Sequence, residues 1–225
     1  MSWILDAKTQ GTYQSANPNT VNHTCGEQAR LLVISLFVTG TTARTGGSPT
    51  YNGVAMTQGN SFYFTAGGDG GVEQWYMIYP PTGSSYTISV PNSNSITFDI
   101  SAASFFPEQG GCIKDSNDTD QGTGQDPGIT TFTNNDYCLQ VGVVCHDSTT
   151  VPAAGIGCTL LHTLDATDHV FGSEFNIADE AGSNSIVFDL NASDQWAMTS
   201  VAFFEIGVLH VKNTPGNKSV QIVTP

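Results

Sequence analysis

The sequence predicts an all-β protein: an antiparallel, jelly-roll-like β-sandwich in a single domain, with a short C-terminal extension. Three observations predict it. Short runs rich in Val, Ile, Thr, Phe and Tyr recur along the chain, separated by Gly, Pro, Asn and Ser clusters. Several runs alternate with a period of two, as in Tyr86-Thr87-Ile88-Ser89-Val90, which places Tyr86, Ile88 and Val90 on one face. The composition has 24 Gly against only 6 Lys and Arg, a balance that favours turns and strands.

Taken in order, Trp3 to Tyr13 starts extended and gives way to polar residues up to Asn22. Leu31 to Val38 is a near-continuous apolar run, predicted to be a strand covered on both faces. Asn52-Gly53 marks a tight turn, because both residues tolerate positive φ. Val72 to Val90 has the densest aromatic content and is predicted to form a hairpin at the sandwich centre, turning at Pro80-Pro81-Thr82-Gly83. Strands follow at Ser95–Phe106, Phe132–Val144, Ile156–Leu164, Ser185–Leu190 and Trp196–Ile206, and Phe171–Ile177 is ambiguous. Pro107 to Gly128 reads as a long polar loop. The domain is expected to span residues 1–206. Residues 207–225 differ in composition and read as an arm that adds a strand to a neighbouring subunit, or as one more hairpin. Ser93-Asn94-Ser95-Ile96-Thr97-Phe98-Asp99-Ile100 echoes Ser183-Asn184-Ser185-Ile186-Val187-Phe188-Asp189-Leu190, and the pairs Phe105-Phe106 and Phe203-Phe204 follow. The echo suits equivalent strands in two facing sheets.

The formal net charge is −14. That argues against binding nucleic acid, which takes clustered Lys and Arg, and against an anionic membrane surface. No run is long enough to span a bilayer. The first residues lack the charged start and apolar run of a secretory leader, so the expectation is a protein made in the cytoplasm or one whose leader has been removed and replaced.

Five cysteines, an odd number, leave at least one thiol outside any intrachain disulfide. They read as small buried hydrophobes, with one or two disulfides as the alternative. Asp115, Asn117, Asp118, Asp120 and Asp126 supply hard oxygen ligands and are the candidate Ca²⁺ site, with a solvated surface loop as the plainer reading. The spacing is not that of an EF-hand. No other cofactor is expected. Cys145-His146-Asp147 and the set His162, Asp165, Asp168 and His169 lack the geometry of a nucleophile or zinc site, so no catalytic residue is assigned. Gly67-Gly68-Asp69-Gly70-Gly71 lacks the Lys and helix start of a phosphate loop. Tyr51, Tyr63, Trp75 and Tyr79 read as core or subunit-interface residues, because aromatics dominate β cores, with stacking on sugars as the alternative.

Thr24-Cys25, Arg30 to Val33, Tyr51-Asn52-Gly53-Val54-Ala55-Met56-Thr57, Val72-Glu73-Gln74-Trp75-Tyr76, Pro80-Pro81-Thr82-Gly83 and Tyr86 to Val90 follow one another in an ordered pattern. In this the chain resembles a β-sandwich family of tailed-phage and other viral structural proteins and of bacterial extracellular proteins. The likeness spans about residues 20–206 apart from 107–128, with Asn52 in place of the first Gly of the usual pair. It implies a non-enzymatic virion component, such as a capsid decoration or cement protein or another head or tail accessory. The implied partners are the major capsid protein or other virion subunits, with a homo-oligomer, a trimer for instance, multiplying weak contacts. The alternative is a carbohydrate-binding adhesin or receptor-binding module on a tail fibre or cell surface.

Overall fold

In the computed structural model, all eight residues of Leu31–Val38 are buried. The structure describes residues 3–39, 42–64, 70–108, 110–146, 151–166, 169–190 and 193–206. Within them the first half of the chain forms β1 (Trp3–Gln10), β2 (Asn19–Thr24), β3 (Leu31–Val38), β4 (Thr50–Tyr51), β5 (Val54–Ala55), β6 (Thr57–Tyr63), β7 (Gly71–Ile78), β8 (Ser85–Val90) and β9 (Phe98–Pro107). The second half forms β10 (Gly111–Gly124), β11 (Gly128–Thr133), β12 (Cys138–His146), β13 (Thr159–Ala166), β14 (His169–Ala178), β15 (Gly182–Val187) and β16 (Asp194–Ile206). No helix occurs among the described residues. The predicted all-β, antiparallel sandwich class is the one observed.

The strands build four layers. A five-stranded sheet of order β1-β9-β3-β7-β6 packs on a second five-stranded sheet of order β10-β16-β12-β14-β13. Each carries a smaller sheet on its far side, β2-β8-β4-β5 on the first and β11-β15 on the second. The cores follow from this stacking. Leu32, Ile34, Leu36 and Val38 of β3 meet Tyr51, Ile88 and Val90 of the small sheet. Leu31 and Val33 point the other way, into a seam shared with Leu139, Val141, Val201 and Phe203 of the second half. The apolar run of β3 is continuous because both of its faces are covered. Ile129 and Ile186 pack on Val144, Trp196 and Met198 in the outer core of the second half.

The two halves repeat one another in seven strands each, while β4 and β5 have no counterpart among the described strands of the second half. Replacing β1, β9, β3, β7 and β6 by β10, β16, β12, β14 and β13 converts the first sheet order into the second, and β2-β8 corresponds to β11-β15. The irregularities coincide too. The first strand of each repeat bulges at an aspartate, Asp6 between Leu5 and Ala7, and Asp115 between Lys114 and Ser116. Each carboxylate accepts a backbone N–H from the segment after the next strand, from Gly26 at 2.7 Å and from Asn134 at 2.7 Å. The outermost strands bulge at Gly59 and at Leu161. Polar contacts across the seam are paired in the same way. Thr199 donates to Gln74 at 2.5 Å, and the equivalent Ser101 and Ser173 hydroxyls lie 3.1 Å apart. This is the geometry of an isologous interface, formed within one chain.

Three expectations are corrected. Val72–Val90 is not a hairpin: β7 lies in a large sheet and β8 in a small one, so Pro80-Pro81-Thr82-Gly83 crosses between layers. The stretch from Pro107 to Gly128 is not a loop. Its main part is β10, paired with β16 from Gly111↔Ile206 to Gly124↔Asp194. The apolar strand β16 supplies the backbone partners, and the acidic side chains discourage pairing of this edge with another chain. The Ser93 and Ser183 echo is out of register with the repeat, since its first copy precedes and enters β9 while its second runs through β15. The ambiguous stretch Phe171–Ile177 lies within β14. The predicted turn at Asn52-Gly53 is present, with φ of 50° and 75°. The arm at 207–225 and most of the Gly67–Gly71 loop lie outside the described residues.

Candidate functional site

One polar cluster breaks the repeat. On the inner face of β7, Glu73 is 3% exposed in a strand that is otherwise mostly apolar. Its Oε1 accepts from the Tyr63 hydroxyl, and its Oε2 accepts from Trp75 Nε1 at 2.9 Å and from Arg44 Nη2 at 3.1 Å. Burial, and then the charge of Glu73, push the Tyr63 phenol well above its usual range, so it stays a donor. Arg44 reaches in from the loop before β4. Its Nη1 donates to the carbonyls of Gly47 at 3.1 Å and Pro91, and its guanidinium lies 5.9 Å from the Trp75 ring centre. A carboxylate holding three donors, one of them charged, compensates the loss of hydration on burial.

These four side chains line an open cavity of about 260 Å³ together with Gln58 and Ser61, which lie opposite Trp75 and Glu73 on β6. Gln58 Nε2 donates to Ser61 Oγ at 3.2 Å. Both carboxylate oxygens of Glu73 are thus occupied by the three donors of the cluster. Of the four aromatics singled out from sequence, only Tyr63 and Trp75 meet here. Tyr51 is fully buried and donates to His23 O at 3.2 Å, and Tyr79 is 58% exposed at a φ of 54°. Arg44 escaped sequence reasoning. The available signal was one arginine in an uncharged Thr, Gly and Ser loop, together with one glutamate in the apolar β7 pattern.

The Ca²⁺ candidates are not gathered. Asp118 and Asp120 accept from the amides of Thr119 and Gln121, each at 2.8 Å, and project from an extended strand. Asp115 is held in its bulge by Asn134 and Asn135, the latter at 2.6 Å. Asn117 accepts from Lys114, and Asp126 is exposed beyond the strand. An extended backbone spaces these side chains along an edge instead of curling them around one point. Among the described residues no three His, Cys, Asp or Glu side chains come together as a metal site.

The buried histidines are tied into the fold. His23 Nδ1 lies 2.9 Å from Thr9 Oγ1 and its Nε2 3.1 Å from Ser104 Oγ. Ser104 in turn donates to Asp6 Oδ2 at 2.7 Å. Serine therefore sits between the imidazole and the carboxylate, whereas an acyl-transfer relay needs histidine in the middle. Burial lowers His23 to about 4, against a smaller opposing effect of Asp6. His162 Nδ1 lies 2.6 Å from Ser101 Oγ, and burial, followed by the charges of Lys8 and His23, lowers it to about 4. Asp147 and Asp168 lie outside the described residues. All five cysteines are free thiols and four are buried, as the reading as small hydrophobes anticipated. No disulfide forms. Burial raises Cys25 to about 11, and Cys112, Cys138 and Cys158 to about 12.

Fold and site together define an all-β sandwich protein with a polar, aromatic-lined pocket in its first repeat. Compared with protein-family models, curated proteins and solved structures, the chain matches none.

Proposed function

We propose that the chain is a non-enzymatic structural protein of a viral particle, a decoration or accessory subunit that seats on capsid subunits. One observation carries the non-enzymatic part of the reading. The groups best suited to chemistry are already engaged: Glu73 by three donors, His23 by Thr9 and Ser104, and the Cys25 and Cys112 thiols by burial in the interior. The virion part rests on the ordered motifs from Thr24 to Val90 and on the acidic, lysine-poor surface. In this reading the body is a rigid spacer and an oligomer multiplies weak contacts with the particle. Synthesis is in the host cytoplasm and the mature location is the virion.

Two measurements test the proposal: the oligomeric state of the purified protein, and its co-sedimentation with particles from the same source. An oligomer that co-sediments supports the reading. A monomer that stays in the supernatant overturns it.

A further inference from the structure

We propose that the pocket between Arg44, Trp75 and Gln58 is a binding site for a neutral, hydroxyl-rich ligand the size of a single sugar residue. The inference is independent of the particle role. It begins with an orphan donor. The Arg44 side chain is 2% exposed, and its Nε–H meets no acceptor although both of its terminal nitrogens are engaged. A buried N–H without a partner is costly and calls for a ligand oxygen at that point.

The second argument comes from the repeat. The positions equivalent to Gln58, Ser61, Tyr63, Glu73 and Trp75 are Leu160, Thr163, Asp165, Gly172 and Glu174, as the registers about the two bulges define. The second repeat builds the same sheet without an arginine–glutamate pair at this place. The fold itself therefore does not demand the pair, and a buried ion pair is a poor source of stability compared with apolar packing.

The walls specify the ligand class. Arg44 and Glu73 cancel in charge, which favours neither an anion nor a cation. Gln58 and Ser61, three residues apart on β6 and opposite Trp75 and Glu73, present both donors and acceptors, which suits hydroxyl groups, since each can give and accept a hydrogen bond. Tyr63 and Trp75 add aromatic surface to the same lining as Arg44 and Glu73. A cavity of about 260 Å³ admits one hexose ring and leaves the rest of a longer glycan outside.

The test is a ¹H–¹⁵N titration of the intact protein with D-glucose, D-galactose, D-mannose, L-fucose and N-acetyl-D-glucosamine, with sodium acetate as the anionic control. For a ligand of this size, millimolar dissociation constants are expected. At least one sugar should shift the Arg44 Nε–H and Trp75 indole signals together, while acetate does not. The double variant Gln58→Ala/Ser61→Ala alters only the wall and should keep its melting temperature. It should bind that sugar about tenfold more weakly, the effect of losing two hydrogen bonds to a neutral ligand. The proposal is overturned if every sugar leaves both signals in place, if acetate moves them more than any sugar, or if the double variant binds as tightly as the unaltered protein. Particle co-sedimentation of the double variant should be unchanged, so failure here is distinguishable from failure of the virion reading.

Discussion

The ring of Tyr76 stands edge-on to that of Phe203, with centroids 5.2 Å apart and planes at 70°. The contact occurs twice. Phe175 and Phe105, the equivalent residues with the repeats exchanged, stand at 5.3 Å and 72°. Each repeat thus offers one ring from its seventh or fourteenth strand and receives one from its partner's last strand. The seam is accordingly expected to dominate stability. Phe203→Ala should lower the unfolding free energy by about 3–5 kcal/mol, and Phe105→Ala by a similar amount. Urea denaturation of both variants measures this; losses under about 1 kcal/mol would mean that the rings are not packed as described.

Gly59 offers a sharper probe of the same seam. A Cβ there would lie 2.7 Å from Val201 Cγ2. The equivalent pair is Leu161 and Ala103, large and small exchanged, both within the shared core. Gly59→Ala should therefore cost about 1–3 kcal/mol through overpacking. Adding Val201→Ala should recover part of that cost, and the coupling shows in a double-mutant cycle. Strict additivity would sink the idea that the two positions compete for one space.

His23 makes the protein acid-sensitive. Its pKa falls from 6.5 unfolded to about 4 folded, so the unfolded chain binds a proton first as pH drops. The stability from neutral His23 is fully present above pH 6.5 and is lost towards pH 4, about 3 kcal/mol in all. His23→Gln, which cannot take up that proton, should lose less stability between pH 7 and pH 4.5 than the unaltered protein. An equal loss in both would remove His23 as the cause.

Glu174 acts in the opposite direction. It is buried, accepts from Gly155 N–H at 3.1 Å, and burial raises its pKa from 4.5 to about 7. As pH rises through this window the unfolded chain gives up its proton first, so stability falls by about 3 kcal/mol and stays low above pH 7. Glu174→Gln keeps the acceptor without the charge. It should match the unaltered protein near pH 5 and exceed it by about 2–3 kcal/mol at pH 8. Thermal unfolding at the two pH values separates the cases.

The acidic edge strand is a structural element. Asp115→Ala removes the acceptor for Asn134 and Asn135 and should cost about 1–2 kcal/mol. Calcium and EDTA should leave the melting temperature of the unaltered protein unchanged. A Ca²⁺-dependent rise that Asp118→Ala abolishes would restore the metal reading.

What the sequence disclosed followed from local physics. Leu31–Val38 announced a doubly covered strand, and Asn52-Gly53 announced its turn. Alternation also identified Val72–Tyr79 and Tyr86–Val90 as strands, but it carries no information about the layer each joins. A Pro-Pro-Thr-Gly link serves a hairpin and a crossover equally well. The polar residues from Asp115 to Gly124 hid a strand because its stabilisation comes from the backbone of β16, not from its own side chains. The pocket was half legible: Trp75 and Tyr63 were visible as aromatics, whereas Arg44 lies 29 residues from its partner Glu73 and is brought to it by the loop. The repeat was legible only in the paired phenylalanines, since 105 to 203 is a step of 98 residues while the more obvious echo, 93 to 183, is a step of 90.

The join between Pro107 of β9 and Gly111 of β10 makes the protein a dimer on a leash. Two separate chains would meet across this seam only as often as their concentration allowed. Here the short leash holds one partner at an effective concentration on the order of millimolar, so docking does not weaken on dilution. The same arrangement frees the two copies to diverge. One could acquire a pocket at Arg44 and Glu73 while the other kept to its architectural duty, a division of labour that two identical subunits cannot reach.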